Sequence, residues 1–433
     1  MVVNQSMCNA FFAKFMFLRK LDLNSIGIRS VPHSIGKMKH LRYLNLSNNR
    51  YIKMLPNSIT RLQNLETLNL GYCVKLIELP RNITRLVNLR HLNIDNCNSL
   101  THMPRGLGQL TNFRSLAEYV LSTDSRCGGE LKELHGLNQL RENIRIKNLT
   151  HKKDAELEYK AANMKEKRNL EGMALEWIKE DVSEVDVGYD EKLLEALEPF
   201  QSLKLLELNG YMGVKYPRWL SSLKNLVRLT LYSMKNCQDS TSSTRYSSSS
   251  TLATLFTPLS KLKSLRIILI KGSDGHVLQS IQHLTALQEL SLSNYIGVGM
   301  ELEWQGLRKL QYLSLYDHPK LASLPVGLQQ ATSLQHLTIS NCPSLTTIPK
   351  WICNIISLQS LEILHCANLT SLPILTSLKK LEILDCPILA EGCKKGNVET
   401  SSNSGDGWGN QGAFCNMLYY DSLASLKRSS IIE

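Results

Sequence analysis

Apolar residues along this chain fall into a pattern that repeats. In the stretch LETLNLGYCVKLIELPRNITRLVN (65–88) they stand at positions 1, 4, 6, 9, 12, 15, 19 and 22: Leu65, Leu68, Leu70, Cys73, Leu76, Leu79, Ile83 and Leu86. The opening of this unit alternates apolar with polar residues, the period of a half-buried strand. Its second half spaces apolar residues by three or four, as a helical turn does. Each unit therefore predicts one short strand and one return path. The same opening stands as LRYLNLSNN at 41–49 and LRHLNIDNC at 89–97, 24 residues to either side. Its register is legible at Leu18, Leu203, Leu226, Leu265, Leu287, Leu310, Leu334, Leu358 and Leu378.

One such unit cannot close a core, because its apolar side chains face neighbours above and below. Stacking many units does close one. The expected fold class is an α/β solenoid: a leucine-rich-repeat horseshoe or arc with irregular repeats, a parallel concave sheet, and an irregular or short-helix convex side. Burying one Leu contributes about 1.5–3 kcal/mol, so several per unit offset the chain entropy without metal or disulfide. Cys73, Cys97, Cys342, Cys366 and Cys386 all occupy position 9, which makes them an interior column. Pro56, Pro80, Pro104, Pro325, Pro349 and Pro373 recur at or near position 16, where they hold the return path extended.

The rhythm sets the organisation. Residues 1–17 read as the remnant of a preceding repeat, 18–120 as regular repeats, and 121–200 as irregular repeats with helical insertions at DAELEYKAANMKEKR (154–168) and EKLLEALEPF (191–200). A strand resumes between them in NLEGMALEW (169–177). Repeats return over 201–390, interrupted by a Ser/Thr-rich loop at 238–254, and 391–433 reads as a tail expected to be largely disordered.

Composition narrows the function classes. Lys and Arg number 50 against 38 Asp and Glu, a formal charge of +12. The basic residues show no local run of the kind that marks a nucleic-acid footprint, so no nucleic acid is expected as a partner. No stretch has the eighteen or so apolar residues of a membrane span, and the N-terminus does not read as a signal peptide. A cytoplasmic location is expected, with reduced thiols and unmodified Asn82, Asn148 and Asn368. Cysteine and histidine spacing fits no metal site, and neither G-x-S-x-G nor H-E-x-x-H occurs. The chain is expected to act by binding rather than catalysis, with no cofactor.

Several phrases carry more than a generic repeat: FLRKLDLNSIGIRSVPHSIGKMKHLRYLNLS (17–47), GGELKELHGLNQLRENIRIKNL (128–149), AANMKEKRNLEGMALEW (161–177) and LLEALEPFQSLKLLELNGYMGVKYPRWL (193–220). Together they resemble the repeat domain of plant disease-resistance proteins of the coiled-coil, nucleotide-binding, leucine-rich-repeat class. The resemblance runs over roughly residues 11–396, and the Tyr211, Gly213, Pro217, Trp219 phrase and Leu175–Glu176–Trp177 are its most specific parts. It implies a role in defence: recognising a pathogen effector or a host protein and regulating an immune-receptor switch, with a nucleotide-binding receptor domain as a further partner at the N-terminal end. No G-x-x-x-x-G-K-[ST] phosphate loop occurs in the sequence, so ATP binding is not expected. A truncated paralogue, a fragment of a full receptor and a stand-alone recognition module all fit, and an intracellular leucine-rich-repeat signalling scaffold is the alternative function.

Alternation points positions 3, 5 and 7 of each strand away from the core. The expected protein-binding residues on that face are Tyr43, His91, Leu205, Arg228, Tyr232, Ile267, Leu269, Tyr312, Tyr316 and His336. They mix aromatic, aliphatic and cationic side chains, the composition that carries binding energy at interfaces.

Overall fold

The structure is a computed structural model, and it describes residues 12, 14–124, 128–150, 155–178, 187–213, 216–232, 259, 261–268, 281, 284–293, 304–375 and 378–394. The Ser/Thr-rich loop at 238–254 and the tail beyond 394 lie outside the described residues. The chain divides into two compact units, Met1–Asn236 and Cys237–Glu433.

In the first unit, β1 (Lys20–Asp22), β2 (Tyr43–Asn45), β3 (Thr67–Asn69), β4 (His91–Asn93) and β5 (Ser115–Leu116) form a parallel sheet in chain order. Register is kept across it, with Tyr43, Thr67 and His91 side by side and Leu44, Leu68 and Leu92 likewise. β6 (Glu118–Val120), β7 (Glu142–Leu149), β8 (Leu170–Trp177), β9 (Leu205–Asn209) and β10 (Arg228–Tyr232) continue in the same parallel order. The second unit contains β11 (Ser264–Ile268), β12 (Glu289–Ser293), β13 (Tyr312–Tyr316), β14 (His336–Ser340), β15 (Ser360–Leu364) and β16 (Lys380–Leu384), again parallel and in order. Strands that follow each other in sequence and pair in parallel make each unit an α/β solenoid, because each return path must cross to the next rung.

The regular rungs share local devices. Position 8, just past the strand, is left-handed at Ser25, Asn48, Tyr72, Asn96, Asp317, Asn341, His365 and Asp385, with φ between 51° and 61°. That conformation turns the chain out of the sheet, and Asn and Asp tolerate it best of the side chains present. Pro32, Pro56, Pro217, Pro325 and Pro349 then precede short 3-10 turns in extended conformation. The ring fixes φ where no N–H is required. Among the described residues, the α-helices α1 (Ala155–Ala161), α2 (Val187–Ala196) and α3 (Pro387–Lys394) interrupt the scheme.

The core is the column set read from the sequence. Leu41, Leu65, Leu89, Leu203, Leu226, Leu310 and Leu334 are buried. Position 9 is the polar seam of that core. Asn49 donates through Nδ2 to the carbonyls of Leu23 and Leu46 at 2.8 Å each, and its Oδ1 accepts from Ile28 N at 3.1 Å. Cys73 and Cys97 take the same place one rung on, donating to Leu46 O and Leu70 O. Burial pushes these two thiols up to about 11 and about 12, so both stay protonated. His318 fills the position in the second unit, with Nε2 at 3.1 Å from Leu292 O.

The phrases that carry the plant resemblance lie in the core of the first unit. Tyr211 meets Trp177 edge-on at 5.4 Å, Trp219 Nε1 donates to Leu194 O at 3.0 Å, and Met212 N donates to the buried Asp190 carboxylate at 2.9 Å. They anchor α2 to the strands on either side of it.

Candidate functional site

Outward strand positions form columns because the strands are in register. On β1–β4, position 3 presents Lys20, Tyr43, Thr67 and His91, with the Lys20 ammonium 5.0 Å from the centre of the Tyr43 ring. Thr67 separates Tyr43 from His91, so these two expected site residues share a face without touching as direct neighbours. Position 5 there serves the backbone: the Asn45, Asn69 and Asn93 side-chain oxygens accept from the N–H two residues on. These asparagines brace the strand exit, a role visible in the sequence as a repeated Asn but not read from it.

On β6–β10 the outward face is ionic. Lys147 pairs with the buried Glu118 at 2.8 Å, and Arg145 pairs with Glu207 at 3.2 Å and reaches Glu176 at 4.0 Å. Arg145 and Glu207 lie two strands apart with Ala174 between them, so the guanidinium spans the gap over a methyl group. Nearby, burial holds the Asp95 carboxyl above its usual range, opposed by the charges of Lys147 and Arg145. Leu205 and Arg228 are cross-strand partners, and Tyr232 follows at the end of β10. The fold therefore brings Leu205 and Arg228 together, while Tyr232, paired with Asn209, lies at the other end of the same strands.

In the second unit, Tyr312 and His336 are cross-strand neighbours whose rings stack at 4.5 Å and 3°. Tyr312 is 45% exposed, and Tyr316 sits at the other end of the same strand. Glu289, beside Tyr312, accepts from Ser264 Oγ at 2.8 Å. On the far side, Lys380 pairs with Glu362 at 2.6 Å and Glu382 at 2.9 Å, and these bonds hold its ammonium above its usual range.

One expected residue is reassigned. Ile267 pairs with Leu292, which is buried, while Ser264 pairs with Glu289 at the outward position 3. The rung therefore starts at Leu262 rather than Leu265. The sequence LSKLKSLRIILI offers two leucines three residues apart, and both fit the opening of a unit. Leu269 lies outside the described residues.

Among the described residues, no group of three or more His, Cys, Asp or Glu is placed to hold a metal ion. What the outward face presents is a flat aromatic stack, paired charges, and polar side chains between them.

A family model described as "Leucine-rich repeat region" matches residues 1–241, and one described as "R13L1/DRL21 LRRs" matches 326–387. The putative disease resistance protein RGA1 of Solanum bulbocastanum is 48% identical over 227 residues, 52% of this chain and 22% of the relative. Disease resistance protein RGA2 of the same species is 33% identical over 112 residues, 25% of this chain and 11% of the relative. The chain thus spans about a fifth of RGA1's length and about a tenth of RGA2's. Among solved structures, an internalin from Listeria monocytogenes superposes with a TM-score of 0.47 at 17% identity, covering 88% of this chain and 89% of that one. A leucine-rich-repeat protein of Leptospira interrogans gives 0.45 at 24% identity, covering 92% and 99%.

Proposed function

We infer the function from one premise: the chain belongs to the leucine-rich repeat region family, in the form found in plant disease-resistance proteins. The reading is that it is the recognition module of such a receptor type. It binds a protein, either a pathogen effector or a modified host protein, on its outward strand face in the cytoplasm, and the bound state biases an immune-receptor switch. The observation that carries this is the Tyr312–His336 stack. An aromatic ring left 45% exposed on a strand adds nothing to the core. Held flat against a second ring it is already ordered, so a partner that covers it loses little side-chain entropy on binding. Tyr43, His91, Leu205, Arg228, Tyr232 and Tyr316 extend the same face in their own units.

The test is affinity capture with paired variants. Tagged chain would be expressed in leaf tissue with and without pathogen challenge, and captured proteins quantified for wild type, Tyr312→Ala and Leu313→Ala. Tyr312→Ala is expected to weaken a specific partner by about 1–2 kcal/mol with an unchanged melting temperature. Leu313, 1% exposed on the opposite face, is expected to lower stability by about 2–5 kcal/mol when cut to Ala. If Tyr312→Ala leaves every captured protein at its wild-type level, recognition does not use this face.

A further inference from the structure

The formal charge of +12 is concentrated at one end of the sequence. Residues 1–120 hold sixteen Lys and Arg against five Asp and Glu, whereas residues 121–433 hold 34 against 33. In the structure, part of this charge lies on the rim formed by the return paths that follow β1, β2 and β3. There the Tyr51 ring sits between the Arg29 guanidinium at 5.5 Å and the Lys75 ammonium at 5.2 Å. The next rung runs alongside in parallel: Ile77 N donates to Lys53 O at 2.9 Å, and Met54 forms a backbone bridge with Glu78. One contiguous strip therefore carries Arg29, Tyr51, Lys53, Met54, Lys75 and Ile77, with the half-buried Glu78 as its acid.

The apolar members of the strip are solvent-exposed. Tyr51 is 52%, Met54 55% and Ile77 43% accessible, at places where neither rung stacking nor solubility calls for a large apolar side chain. Protein interfaces gather apolar residues into a core, surround them with a polar rim, and are poor in Lys. Here cations and apolar side chains alternate one by one, and two of the three cations are Lys. That interleaving matches the headgroup region of a bilayer, where apolar bodies sink to the acyl boundary and long cationic chains stay at phosphate level. Each cation near an anionic leaflet adds to the attraction. In-register rungs hold the tips in rows, so a planar surface can meet several at once.

We propose that this rim docks the chain onto the surface of a membrane containing anionic phospholipid. No helix among the described residues is long and apolar enough to cross a membrane, and the contact is peripheral. It is separate from the outward strand face, so protein recognition and membrane contact can occur together and can be lost independently.

The experiment is vesicle flotation of the full chain. Vesicles of phosphatidylcholine alone would be compared with vesicles carrying about 30 mol % phosphatidylserine, in about 0.1 M and about 0.5 M salt. Expected is binding to the anionic vesicles at least about tenfold above the neutral ones, lost at high salt. Lys53→Glu with Lys75→Glu is expected to reduce it about tenfold, and Met54→Ser with Ile77→Ser several-fold, both with wild-type melting curves. Should the charge-reversed pair melt early, Lys53→Gln with Lys75→Gln is expected to give an intermediate loss. Arg61→Glu with Arg85→Glu, on the 3-10 turns, is the control and is expected to retain most binding. No preference for anionic vesicles overturns the proposal. So does a Met54/Ile77 variant that binds normally, with heparin competing equally well for both proteins, because the strip would then be a general polyanion site. An Arg61/Arg85 loss as large as the rim loss would move the contact off the rim.

Discussion

Lys167 occupies a position that leucine holds in other rungs. It closes a 3-10 turn as Leu62, Leu86, Leu110, Leu137 and Leu223 do, with the same backbone geometry. Its side chain is fully buried, and Nζ donates to Leu134 O at 2.6 Å and Asn138 Oδ1 at 3.2 Å. Neither partner is a carboxylate, so burial dominates and draws its pKa down from 10.5 to about 8. Between those two values the unfolded chain holds a proton that the folded chain has released. Stability therefore rises with pH through that window, and below about 8 the whole penalty, on the order of 3 kcal/mol, is present. Lys167→Met is expected to raise the melting temperature at neutral pH and to flatten its dependence on pH between 8 and 10.5. A lower melting temperature at neutral pH would mean that the two hydrogen bonds outweigh the desolvation.

At the scale of elements, the strands of regular rungs were legible because Leu44, Leu68 and Leu92, or Leu313 and Leu337, fall at fixed spacing and pair with one another. Tyr312 and His336 could be placed outward for the same reason. Where the register shifts, the pattern is silent. At Ala117 the chain bends and one extra residue intervenes: Leu116 pairs with Leu92 on one side, and Glu118 with Arg145 on the other. That bulge puts Tyr119 inside and Glu118 outside. The Glu118, Arg145, Lys147 and Glu207 group escaped the reading because its strands come from units of unequal length. Return paths were legible as Pro followed by apolar spacing, but their closeness was not. A Cβ on Gly136 would meet the Gly108 carbonyl oxygen well inside van der Waals contact, and one on Gly108 would meet Glu133 O. These 3-10 turns stack backbone to backbone. Gly136→Ala is accordingly expected to lower stability by about 1–3 kcal/mol, measured by urea unfolding, although the same change on an open surface would be neutral or better. A neutral result would show that the turns can slide apart without cost.

On the scale of the whole molecule, a solenoid hides its surface chemistry from any local scan. Residues that form one patch lie some 24 residues apart in sequence, as Tyr51 and Lys75 do, so the basic residues look scattered until the rungs are stacked. The same architecture governs how damage spreads. Apart from a long side-chain pair such as Arg145–Glu207, each rung is held chiefly by its two neighbours, so stability is a sum of rung and interface terms rather than one global quantity. Leu313 packs in the column between Leu290 and Leu337, and Leu313→Ala removes about 2–5 kcal/mol there. Amide hydrogen exchange on that variant is expected to rise most in β12, β13 and β14, less in β15 and β16, and not at all in β2–β4 of the other unit. A chain that instead exchanged faster everywhere by the same factor would be unfolding as one cooperative body. Nearest-neighbour coupling would then be the wrong description of it, and a partner bound at one rung could stabilise every other. If exchange follows the strand order, a partner seated on the Tyr312–His336 stack stiffens only its own unit. Any signal it sends must then pass rung by rung along the sheet.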